Sequence, residues 1–141
     1  MGECFVRLRT KPPLSTLPAQ CRAAPYSHAY AVNAGNPEAL VAAMERTQDE
    51  GAAVRQAACL ILGFAPTRST AASDALATSL SDDEEKVRVT AAAQLALRDD
   101  PRGDDVLGAL DHTDEHSPYR WLLYDVSCHR WRTSNSSAAE K

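Results

Sequence analysis

Apolar positions recur at helical spacing through most of the chain. Leu40, Val41 and Met44 recur within one short segment, Leu76 and Leu80 stand four apart in a second, and Val106, Leu107 and Leu110 cluster in a third. Each spacing places its apolar residues on one side of an amphipathic helix. A longer apolar-rich segment follows each one, at 54–62, 87–95 and 119–127. The punctuation agrees. Asn36-Pro37-Glu38 is a helix start, because Asn caps, Pro fits the first turn and Glu suits the positive end of the dipole. Gly63-Phe64-Ala65-Pro66 and Asp99-Asp100-Pro101 are helix ends. The pattern predicts six helices in three antiparallel pairs.

The three longer segments align with one another. Val54-Arg55, Val87-Arg88 and Tyr119-Arg120 are offset by 33 and then 32 residues, and an aspartate stands five positions before each: Asp49, Asp82 and Asp114. The unit reads D-x4-[V/Y]-R three times. A single helix pair cannot bury its apolar side, so pairs of this kind stack. The second helices are expected to bury Val54, Ala58, Ile61 and Leu62, then Val87, Ala91, Gln94 and Leu95, then Tyr119, Leu123, Val126 and Ser127.

The stretch Leu-Ser-Asp-Asp-Glu-Glu-Lys-Val-Arg-Val-Thr-Ala-Ala-Ala-Gln-Leu at 80–95 resembles a HEAT repeat of the short, phycobilin-lyase-like kind. The resemblance covers about residues 37–130. It implies an all-α fold, an α-solenoid wound as a right-handed superhelix of about three helical hairpins. It also implies a ladder of hydrogen bonds between repeats, with Asp49, Asp82 and Asp114 as acids and Arg55, Arg88 and Arg120 as donors, a scaffold rather than a site. The third copy departs from the pattern, since Tyr119 replaces Val and Leu123 stands where Ala58 and Ala91 stand. The ankyrin and tetratricopeptide signatures are missing.

These readings divide the chain into an irregular extension at 1–35, a repeat domain at 36–131 (repeats at about 36–65, 69–98 and 101–131) and a disordered tail at 132–141. Lys11-Pro12-Pro13 and Leu17-Pro18 break helices in the extension, and residues 27–34 are expected to form one short helix covering the first pair. The tail is polar and rich in small residues.

Composition supports helices. Of 25 alanines, 19 lie between residues 31 and 110, while glycines number 6 and aromatics 8; alanine is the best helix former. No apolar run approaches the roughly 18 residues of a membrane-spanning helix, and the first residues lack a continuous apolar stretch of the secretory kind. The four cysteines, Cys4, Cys21, Cys59 and Cys128, contain no C-x-x-C; free thiols and a cytoplasmic location are expected. Charge is uneven: +3 over 1–35, -9 over 36–125 and +2 over 126–141. An acidic body suits a basic partner and is a poor match for a phosphate backbone.

Candidate chemistry is sparse. His112-Thr113-Asp114-Glu115-His116 matches H-x-x-E-H, but it falls in an expected turn, whereas the zinc-peptidase string needs both histidines on one helical face. Cys128 and His129 are adjacent, so on a helix they diverge. There is no nucleophile elbow and no glycine-rich phosphate loop. No catalytic residue, metal or cofactor is expected, and the chain is read as a non-enzyme.

The better candidate is a surface. The second helices of a solenoid line its concave side, which selects three columns: Gln56, Val89 and Trp121; Cys59, Ala92 and Tyr124; Leu60, Ala93 and Asp125. Gln56, Val89, Trp121, Tyr124 and Asp125 are the expected binding residues, with the aromatics as anchors or else as core under the C-terminal residues. The expected function is a protein–protein interaction module: adaptor, regulatory subunit or inhibitor. Its partner is a protein with a basic surface, drawn by the acidic rim at 82–85, 99–105 and 111–115, with no membrane partner and no nucleic acid. The alternatives are a nucleic-acid-binding or DNA-repair-type HEAT-like protein, using the basic-aromatic cluster of Arg120, Trp121, Tyr124, Arg130, Trp131 and Arg132, or a piece of a longer HEAT or lyase-like protein.

Overall fold

The computed structural model describes residues 24–139, with side chains over 29–138. The described residues are all-helical, with seven α-helices and no strand. They are α1 (Ala24–Asn33), α2 (Pro37–Arg46), α3 (Ala52–Leu62), α4 (Thr70–Ser79), α5 (Glu85–Leu97), α6 (Asp104–Gly108) and α7 (Arg120–Ala139), with a 3-10 turn (Pro101–Gly103) before α6. Most of the extension expected at 1–35 lies outside the described residues. Within it, α1 begins at Ala24 and packs against α2 and α3.

Local chemistry sets the boundaries. The Asn36 side chain accepts from the amides of Glu38 and Ala39 at 3.0 and 3.1 Å, with Pro37 opening α2. Ser69 caps α4 through the Ala72 amide at 3.4 Å. Helices α1 and α5 both end on a residue at positive φ, Gly35 (82°) and Asp99 (60°). In each case the following amide reaches five residues back, Asn36 to the Ala31 carbonyl and Asp100 to that of Leu95, both at 3.0 Å. This is the left-handed helix stop, free of steric cost for Gly and cheaper for Asp than for most L residues.

Packing centres on α5. It lies against α3, α4, the 3-10 turn, α6 and α7, and ten of its thirteen residues are buried. Val87, Ala91 and Leu95, four apart, join the core formed with α1 to α4. On its other side Val89, Ala92, Ala93, Ala96 and Leu97 join Leu107 of α6 and Leu122, Leu123 and Val126 of α7. Alanine permits these close approaches. At Gly103 a β-carbon would stand 2.7 Å from the Ala92 Cα, so the 3-10 turn rests on the α5 backbone and tolerates only glycine there. Burial pushes the Cys59 thiol up to about 11, so it is inert at neutral pH.

Three sequence expectations change. Val54 is 39% exposed rather than buried, although its counterpart Val87 is fully buried: the described residues leave the start of α3 open there. Ser127 is exposed as well, because no described helix lies beyond α7. The tail expected to be disordered over 132–141 instead continues α7 as far as Ala139. Every described side chain from 130 to 138 is exposed, so local bonds carry this stretch: Arg132 to the Cys128 carbonyl, Thr133 to that of Arg130 and Ser137 to that of Thr133.

Candidate functional site

The D-x4-[V/Y]-R unit has a physical content. In all three copies the aspartate carboxylate accepts from the amide two residues on: Gly51 to Asp49 at 2.8 Å, Glu84 to Asp82 at 2.9 Å and His116 to Asp114 at 2.9 Å. The arginine six positions on then reaches back to the turn's carbonyls. Arg55 donates to those of Asp49 and Glu50, Arg88 to those of Asp82 and Asp83, and Arg120 to that of Glu115. Each unit is an Asx turn that delivers the chain into its second helix.

One arginine–aspartate contact of the repeated motif crosses between units among the described residues. Arg55 grips Asp82 with two hydrogen bonds, 2.8 and 3.0 Å, in a mostly buried fork. The guanidinium holds the Asp82 carboxyl below the usual carboxylate range. Arg88 and Asp114 are not brought together in the same way. The Tyr119 hydroxyl donates to Glu85 at 3.4 Å instead, with Tyr119 in the place of a valine.

The remaining ties to the preceding link come from the ends of the second helices. Arg98 is buried and donates to the carbonyls of Ala65, Pro66 and Ser69 and to the Ser73 hydroxyl, at 2.7–3.0 Å. His129 meets Asp99 at 2.7 Å and Arg130 meets Asp104 at 2.6 Å, docking α7 onto the segment after α5. Sequence reasoning missed Arg98, although the signal was available: Arg98 and Arg130 stand 32 apart, the same offset that relates Arg88 to Arg120.

The expected binding strip is largely closed. Val89 is 1% exposed and packs in the core between α5 and α7, which removes it from any contact surface; the sequence could not show that α7 lies over it. Cys59, Ala92 and Ala93 are buried too. Gln56 is half-buried and donates to the Thr90 hydroxyl at 3.2 Å. Trp121 and Tyr124 stay open, 41% and 59% exposed, with Asp125 half-buried beside them. The neighbouring Cys128 pushes the Tyr124 hydroxyl's pKa up. Trp131, 68% exposed, extends the same apolar side.

The H-x-x-E-H string lies between α6 and α7, with residues 111–116 all exposed. The His112 ring meets the Leu107 carbonyl at 3.0 Å, and the amide and hydroxyl of Thr113 both donate to Asp111, lowering its pKa. Cys128 faces Tyr124 while His129 turns to Asp99. Among the described residues no group of three or more His, Cys, Asp or Glu side chains is placed to hold a metal ion, and no helix is long and apolar enough to cross a membrane. No family model, curated protein or solved structure matches the chain.

Proposed function

We propose that the chain is a non-enzymatic protein–protein interaction module, built as an α-solenoid of HEAT-like hairpins and serving in the cytoplasm as an adaptor, regulatory subunit or inhibitor. The thrice-repeated Asx turn and the Arg55–Asp82 rung support the repeat reading. The observation that carries the function is α7. Leu122, Leu123 and Val126 anchor one side of it in the core, while the opposite side holds Trp121 and Tyr124 open to solvent. Large aromatics on a rigid support are the groups that dominate protein contacts. The acidic rim supplies the steering charge. Asp83, Glu84, Asp111 and Glu115 are all exposed on it, which fits a partner with a basic surface.

The test is affinity capture from source cells with the full chain and two variants, Trp121→Ala/Tyr124→Ala and Asp83→Lys/Glu84→Lys/Glu115→Lys, each checked for helicity. A partner held by the wild type and released by both folded variants supports the reading. Equal capture by all three chains overturns it.

A further inference from the structure

We draw no further inference here: the strongest candidate, the exposed aromatic side of α7 at Trp121, Tyr124 and Trp131, carries nothing beyond the proposed function, because nothing in the structure shows what covers it.

Discussion

Helices α5 and α7 start from the same device and end in opposite environments. Both leave an Asx turn whose carbonyls are held by the arginine at the start of the helix. Helix α5 then passes between two layers and buries ten residues. Among the described residues, helix α7 has neighbours on one side only and buries Leu122, Leu123 and Val126. The motif builds a helix start; the number of flanking layers decides whether the helix becomes core or surface. The same contrast appears at the clamps. Arg98 at the end of α5 is buried against three carbonyls, while Arg130 at the equivalent place on α7 is about half exposed in its pair with Asp104.

Substitutions on the two helices should differ accordingly. Leu95→Ala in α5 is expected to cost about 3 kcal/mol, since it removes a fully buried side chain and leaves a cavity. Trp131→Ala in α7 is expected to stay within about 0.5 kcal/mol, since that side chain is mostly exposed. Urea denaturation of both variants checks the pair, and equal losses would erase the distinction.

The buried clamp comes next. Arg98→Met leaves the Ala65, Pro66 and Ser69 carbonyls without their donor, an expected loss of about 2 kcal/mol. The period-related Arg130→Met should lose far less, because water replaces its exposed contact. Thermal melts of the two variants side by side measure the gap.

Gln94 offers a change in the opposite direction. It is 3% exposed in α5, and among the described residues its Nε2 has no hydrogen-bond partner. Gln94→Met keeps the shape and removes a buried amide donor, so a gain of about 1 kcal/mol is expected, read as a higher urea midpoint.

The smallest effect is a pH dependence at the Arg55–Asp82 rung. The folded Asp82 carboxyl sits below its unfolded value because Arg55 donates to it. The rung's contribution is therefore complete above the unfolded carboxylate's pKa of about 4 and is lost as pH falls through the lower folded value. Asp82→Asn should be less stable than wild type at neutral pH, and the two stabilities should converge in acid.

The helix starts were legible because the period repeats chemistry as well as hydrophobicity. Asp49, Asp82 and Asp114 mark three turns, and Asn36 and Pro101 mark helix starts without help from the rest of the fold. Burial was legible where neighbours exist on both sides, as at Val87, Ala91 and Leu95, and failed at Val54, which shares the Val-Arg pair but is left uncovered by the described residues. The surface strip failed at Val89 for the converse reason, since a column counted along α5 cannot reveal that α7 lies across it. The continuation of α7 to Ala139 is not legible because Ser, Thr and Asn are poor helix formers, and their back-bonds to the preceding carbonyls are local details that hydrophobic periodicity does not register.

The account turns on whether the aromatic side of α7 is open in the isolated chain. Its two tryptophans, Trp121 and Trp131, are the chain's only ones, so tryptophan emission reports on that side directly. Acrylamide quenching should be strong and the emission red in dilute protein, since Trp121 and Trp131 are both exposed. Emission that is blue and resistant to quenching in dilute protein would contradict the account and place both indoles within the chain's own core.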